Sequence, residues 1–197
     1  MKIEAKLVKE LRLKTGAGMM DCKNALVKSN GNLNDAIDHL RKSGITKAEK
    51  KGARLTKEGI VYSYIHAGSR LGVLLEINCE TDFVAKTDGF SELAHNVAMQ
   101  IAATNPISLD VTSIDQSLVA REKDIFKEQA MSEGKPKHII EKMVEGRLQK
   151  FYQESCLLEQ TYIKDPNKKI KDLITESIAT IGENISISRF TRFAIGE

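Results

Sequence analysis

Three short sets of apolar residues at helical spacing open the chain, each separated from the next by a glycine-bearing segment. Ile3, Leu7, Val8 and Leu11 make the first. Met19, Met20, Ala25 and Leu26 follow Thr15-Gly16-Ala17-Gly18, and Leu33, Ala36, Ile37 and Leu40 follow Asn30-Gly31-Asn32. Asn32 is suited to cap the third helix, with Asp35 in its first turn, and Ser43-Gly44 supplies a stop. The pattern predicts a compact three-helix bundle with a small core. Two adjacent methionines cannot both point into so small an interior, so at least one of Met19 and Met20 is expected at the surface. Beside Arg12 and Lys23 it would form an apolar contact with a basic rim, a composition typical of protein-binding surfaces.

The period then changes to two. Gly59 to His66 and Arg70 to Asn78 read as strands around Ala67-Gly68-Ser69, and the first places Tyr62, Tyr64 and His66 on one face. Helical spacing returns with Phe90, Leu93, Ala94, Val97, Ile101 and Ala102 and ends at Asn105-Pro106. Two further helical patterns, Asp115 to Ser132 and Lys137 to Glu154, flank Glu133-Gly134-Lys135-Pro136. Glycine after one helix and proline before the next predict an antiparallel helical hairpin, with Leu118, Ile125 and Phe126 facing Ile140, Met143, Val144 and Phe151. A last helix near Lys169 to Ile181 leads through Gly182 into the alternating Ile185, Ile187, Arg189, Thr191 and Phe193, a final strand. The fold class is α+β. Residues 1–54 hold the three-helix bundle and a basic linker, and residues 55–197 hold a core of antiparallel sheet packed with helices, carrying the hairpin at about 115–154.

Where the second strand stops stands Asn78-Cys79-Glu80-Thr81-Asp82-Phe83-Val84-Ala85, an acid beside a large aromatic. Thr81, Asp82, Phe83 and Val84 fall in a strand-to-helix connection, the kind of rigidly held loop on which proteins present binding residues. Two readings stand. Phe83 projects as a wedge, or it folds back over the core while Asp82 caps the next helix.

With 197 residues, 41% of them apolar, the chain can bury one sizeable core and a small satellite. Its 30 basic and 27 acidic residues leave a formal charge of +3, too slight an excess to make nucleic acid the main partner. Locally, Lys42 to Lys57 is more basic: Lys47, Lys50, Lys51, Arg54 and Lys57 stand against Glu49 alone, which suits a solvated linker or an acidic partner surface. Cys22, Cys79 and Cys156 are odd in number and form no C-x-x-C, so neither a disulfide framework nor a zinc site is indicated, and a reducing compartment fits. No apolar run approaches the roughly 18 residues of a membrane span and no signal-peptide core opens the chain, so no membrane partner is expected.

No cofactor or metal is expected either, because the phosphate loop, the dinucleotide fingerprint and H-E-x-x-H do not occur. Ser132-Glu133-Gly134-Lys135 matches S-x-x-K in letters only, at a hairpin tip. The sharpest enzymatic alternative pairs Cys79 as thiolate with His66 as base, oriented by Glu80 or Asp82. Nothing in the sequence fixes that geometry, and a cysteine at a strand end is more often a small packed residue.

Several long motifs carry a resemblance. Leu7-Val8-Lys9-Glu10-Leu11-Arg12, Thr15-Gly16-Ala17-Gly18-Met19-Met20-Asp21-Cys22-Lys23, Leu40-Arg41-Lys42-Ser43-Gly44, the Asn78 to Ala85 segment, Glu141-Lys142-Met143-Val144-Glu145-Gly146-Arg147 and Gly182-Glu183-Asn184-Ile185 together resemble the bacterial translation elongation factor Ts family over essentially the whole chain. That resemblance implies a guanine nucleotide exchange factor for elongation factor Tu rather than an enzyme, with a ubiquitin-associated-like bundle joined to an α+β core. Arg12, Met19, Met20 and Lys23 would dock on the partner's GTPase domain. Thr81-Asp82-Phe83-Val84 is similar to the segment that intrudes near the partner's magnesium site, and His66 with its following turn to a second contact region, here one residue longer. Longer members carry two related core lobes, whereas this chain has one, so a homodimer of two-fold symmetry would supply the missing contacts. The implied location is the bacterial cytoplasm, or the interior of an organelle. Two other functions stay open: an adaptor that binds through its bundle without exchange, separated by measuring GDP release, and a weak RNA binder through the basic linker, tested by salt dependence.

Overall fold

The computed structural model describes residues 3–134 and 136–197. Lys135, and with it the S-x-x-K match, lies outside them. In chain order the elements are α1 (Ala5–Thr15), α2 (Met19–Lys28), α3 (Leu33–Lys51), β1 (Glu58–Ile65), β2 (Leu71–Cys79), α4 (Asp82–Ala85), α5 (Asp88–Thr104), α6 (Gln116–Ser132) and α7 (Lys137–Ser155). A 3-10 turn at Leu157–Glu159 then precedes β3 (Thr161–Tyr162), β4 (Asp165–Lys169), α8 (Ile170–Ile181) and β5 (Ile185–Ala194). The long strands form an antiparallel sheet of order β1-β2-β5, and β3 pairs with β4 in a separate hairpin. This is the expected α+β class, a sheet packed with helices behind an N-terminal helical bundle. By contacts the chain gathers into two compact units. One holds the chain up to Tyr62 with Glu76–Ala94 and Asp172–Ser188; the other holds Ser63–Leu75, His95–Lys171 and Arg189–Glu197.

In the first unit Val8 and Leu11 of α1, Cys22, Ala25 and Leu26 of α2 and Ala36 of α3 bury one another, ringed by Leu7, Leu33, Ile37 and Leu40. Ile3 packs against this core from ahead of α1. Asn32 caps α3 as expected, its Oδ1 accepting from the Asn34 and Asp35 amides at 2.9 and 3.3 Å. The end of α3 is a correction: the helix does not stop at Ser43-Gly44 but continues to Lys51, so much of the basic stretch is helix. Gly44 is buried, and a Cβ there would lie only 3.2 Å from the Ala179 Cβ on α8. The glycine lets two helices approach. Its cost of about 1 kcal/mol in helix propensity is incurred for packing rather than for termination.

The predicted α5 stripe, Phe90, Leu93, Ala94, Val97, Ile101 and Ala102, is buried where the periodicity placed it, and on β2 Val73, Leu75, Ile77 and Cys79 line one buried face. In the second unit α6 and α7 form the predicted hairpin. Ala130, Ile140 and Val144 are buried with Phe126, Met143 and Leu148 around them, while Ile114, Val119 and Cys156 with Phe151 and Tyr152 make a second cluster. Val119 takes the buried place expected of Leu118. The β3–β4 hairpin was not legible, since its first strand has only two residues and its second contains Pro166. It is held from α5 by the fully buried Gln100, whose Nε2 donates to Gln160 Oε1 and the Thr161 carbonyl, each at 3.1 Å, and whose Oε1 accepts from the Ile163 amide at 2.9 Å.

One glycine is required by the strand pairing. Gly59 has φ of +149°, and a Cβ there would sit 2.2 Å from the Ile77 carbonyl oxygen. Gly59→Ala is therefore expected to cost at least about 2 kcal/mol, the backbone conformation alone being worth about 1–3 kcal/mol. Thermal unfolding should show a melting temperature lower by about 4–8 °C, and an unchanged value would mean that the strand moves aside freely.

Candidate functional site

The alternation of β2 turns Ile77 and Cys79 inward and leaves Glu80 and Thr81 to emerge half-buried at the strand's end. Thr81 then caps α4, a single turn, its Oγ1 accepting from the Val84 amide at 3.4 Å. Within the four residues, Thr81 and Val84 are half-buried while Asp82 and Phe83 face solvent. Phe83 is 81% exposed, the highest value among the exposed large apolar side chains of the described residues. The reading in which Phe83 folds back over the core is thus excluded. Nor does Asp82 cap the next helix: its carboxylate accepts from Lys86 Nζ at 2.7 Å across one turn, and that hydrogen bond holds its carboxyl below the usual range. Behind the turn, Thr87 Oγ1 donates to the Val84 carbonyl at 2.8 Å and accepts from the Phe90 amide at 3.3 Å, joining α4 to the start of α5.

The base of this projection is fastened by residues far away in sequence. Glu183 Oε2 accepts from the Glu80 and Thr81 amides at 3.1 and 3.0 Å, and its Oε1 accepts from the Thr81 hydroxyl at 2.6 Å. Glu80 reciprocates: its Oε1 accepts from the Asn184 amide at 2.6 Å, and its Oε2 lies 3.4 Å from Arg54 Nη1. Asn184 Nδ2 donates to the Arg54 and Gly52 carbonyls at 2.8 and 3.4 Å, and Lys51 Nζ donates to the Gly182 carbonyl. The turn Gly182 to Asn184 therefore holds both the end of α3 and the start of α4. The sequence offered Glu80 only as an orienting acid in the Cys79–His66 alternative and gave Glu183 no role; the one signal for this pairing was their place beside strand ends.

Arg12, Met19, Met20 and Lys23 lie at the α1–α2 corner of the bundle, all exposed. Met19 and Met20 are 49% and 65% exposed, so at least one is at the surface as expected, and in fact both are. Cys22 goes inward between them and Ala25, with Sγ donating to the Ala17 carbonyl at 3.6 Å. Leu13, also highly exposed, belongs to the same corner and was not anticipated. His66 belongs to the second unit. It is exposed at the end of β1, its Nδ1 is 2.9 Å from Tyr64 Oη, and Tyr64 packs edge-on against His95.

Cys79 is fully buried, with Sγ donating to the Thr81 carbonyl at 3.1 Å. Burial pushes its thiol up, and the charge of Glu183 adds to the effect. That is the opposite of an activated nucleophile. Among the described residues no three His, Cys, Asp or Glu side chains are grouped to hold a metal ion, and no helix is long and apolar enough to cross a membrane.

A sequence model of the family described as Elongation factor TS matches residues 5–197. Elongation factor Ts of Syntrophomonas wolfei is 58% identical over 195 residues, covering 99% of this chain and 91% of that protein. The protein of the same name from Caldanaerobacter subterraneus is 55% identical over 195 residues, 99% and 98% of the two chains, and that from Fervidobacterium nodosum is 54% identical over the full length of both.

Alkylation tests the assignment of Cys79 as a packed residue. At about neutral pH iodoacetamide is expected to label it at least about tenfold more slowly in the native protein than in the unfolded chain. Equal rates would show an accessible thiolate.

Proposed function

The chain belongs to the elongation factor Ts family, and on that premise we propose that it is a guanine nucleotide exchange factor for elongation factor Tu, which drives GDP release by pressing Phe83 into the partner near its magnesium and phosphate site. The observation that carries the reading is the exposure of Phe83 on a turn held from behind. An apolar ring left in water at the end of a buried strand serves no folding purpose, and it gains free energy only when a partner covers it.

Exchange needs no catalytic base. The factor must bind the nucleotide-free partner more tightly than the nucleotide-bound one, and by linkage the nucleotide then weakens the factor to the same degree. A 10⁴-fold coupling corresponds to about 5.5 kcal/mol, whereas burying one phenylalanine ring supplies roughly 1.5–3 kcal/mol. The remainder has to come from other contacts. We assign Arg12, Met19, Met20 and Lys23 to docking on the partner's GTPase domain, and His66, steadied by Tyr64, to a second contact. Displacing the magnesium ion removes charge neutralisation from the diphosphate, which then departs faster. Asp82 keeps the turn closed through Lys86. On this reading residues 1–54 act as the docking part and residues 55–197 carry the wedge. The bacterial sources of the relatives support the cytoplasm as the place of work.

A second copy is the proposed cover for Ile65, Leu74, Phe193 and Ile195, large apolar side chains exposed within the second unit. Light scattering is expected to return twice the mass of one chain; a single-chain mass at micromolar concentration would remove the dimer.

Release of fluorescent GDP from elongation factor Tu tests the whole reading. Substoichiometric amounts of this protein are expected to accelerate it strongly. Phe83→Ala should slow release at saturation at least tenfold, whereas Met19→Ala with Met20→Ala should instead raise the concentration needed by about tenfold or more, from lost apolar contact. Binding without acceleration would make the protein an adaptor, and a Phe83→Ala protein as fast as the parent would end the wedge role.

A further inference from the structure

The carboxylate of Glu183 occupies an unusual station. It belongs to the turn before β5, yet it meets both amides by which the chain leaves β2, together with the hydroxyl of the α4 cap. Glu80 answers from the other side by taking the Asn184 amide. Two acidic side chains more than a hundred positions apart thus each satisfy the other segment's backbone.

We propose that Glu183 is a positioning residue for nucleotide exchange: seated on the Glu80 and Thr81 amides and the Thr81 hydroxyl, its carboxylate fixes the direction in which α4 presents Phe83. This rests on the exchange reading above and specifies which group makes the wedge rigid.

Three observations carry it. First, α4 has four residues, and so short a helix cannot hold itself against solvent, because helix formation becomes favourable only well beyond the first turn. Its direction is set by its anchor. Second, Thr81 uses its hydroxyl proton on Glu183 and thereby keeps a lone pair on the Val84 amide, so the cap and the clamp are one hydrogen-bonded unit. Third, the tip that the clamp steers is exposed, with Asp82 and Phe83 outside the core. Folding alone does not require the tip to point one way. Partner engagement does, since a wedge that must be ordered on contact loses in entropy what its burial gains. The same turn holds Gly52, Arg54 and Lys51 at the end of α3, so Glu183 also fixes the wedge relative to the helix that runs back into the docking bundle.

Stopped-flow release of fluorescent GDP from elongation factor Tu should be followed over a range of factor concentrations for Glu183→Ala, Glu183→Gln, Phe83→Ala and the Glu183→Ala/Phe83→Ala pair. Glu183→Ala is expected to lower the saturating rate about tenfold while moving the half-saturating concentration less than about twofold. Glu183→Gln, which keeps an acceptor oxygen and the side-chain shape, should recover part of the rate. In the Phe83→Ala background, removing Glu183 should slow release by less than about twofold, because the group it steers is gone. A residue with only a structural role would slow both backgrounds equally, and that result overturns the proposal. If Phe83→Ala is slow but Glu183→Ala matches the parent, the positioning role alone fails. If Phe83→Ala matches the parent, the wedge reading fails and takes this role with it. Should circular dichroism show that Glu183→Ala does not fold, Glu183→Gln in both backgrounds carries the same comparison.

Discussion

Backbone amides that leave a sheet have to find acceptors, and around the end of β2 that requirement organises the first unit. Glu80 and Thr81 have passed beyond the sheet, and their amides stand ahead of α4, where no helical carbonyl is placed to accept from them. Glu183 meets both, with charge-assisted hydrogen bonds stronger than those of a neutral acceptor. Because Glu183 follows Gly182 and precedes Asn184, the same turn is bonded to Lys51, Gly52 and Arg54. Satisfying two donors therefore joins three parts of the chain: the end of α3, the start of α4 and the entry to β5.

With the base fixed, the division of labour within Thr81 to Val84 follows from exposure. Thr81 and Val84 face the protein, Asp82 and Phe83 face water. The polar half of the exposed pair is neutralised locally by Lys86, leaving the aromatic as the group with unrealised binding free energy. Apolar side chains scattered over a surface are ordinary, but a phenylalanine at the end of a held projection is a different case. The same economy appears in the bundle, where Cys22 and Leu26 of α2 supply the interior and Met19 and Met20 are left outside. Met side chains adapt to irregular surfaces, which fits the docking role proposed for them, whereas the stiff ring fits the wedge role proposed for Phe83.

On the proposed reading, the protein would spend its contacts on a difference between two states of its partner. Rigidity matters more than area, because a flexible projection would accommodate itself to the nucleotide-bound partner rather than exclude that state. The hydrogen bonds around Glu80, Thr81 and Glu183, together with Thr87 at the start of α5, give the projection that rigidity from both ends.

Periodicity in the sequence was enough to locate the long helices, though not the end of α3, and the three strands of the sheet, because burying one face of each element imposes a period of 3.6 or 2 that no distant contact is needed to reveal. It was also enough to mark Asp82-Phe83 as out of place at a strand end, and Met19-Met20 as too much apolar bulk for a small bundle. What it could not supply were meanings that depend on a neighbour in space. Gly44 reads locally as a helix stop and is instead the point where α3 meets Ala179. Leu118 and Val119 are both apolar, and only the packing around Cys156 selects Val119. The β3–β4 hairpin is too short to show a period and depends on Gln100, some sixty positions earlier. Glu80 and Glu183 look like ordinary surface acids until folding brings their segments together. The hydrophobic pattern is a local record of burial, and so the sequence determined the long elements and set Asp82-Phe83 apart at a strand end; that Phe83 stays in water, like hydrogen-bond pairing and close approach, depends on relations between distant residues, and only the tertiary structure decided it.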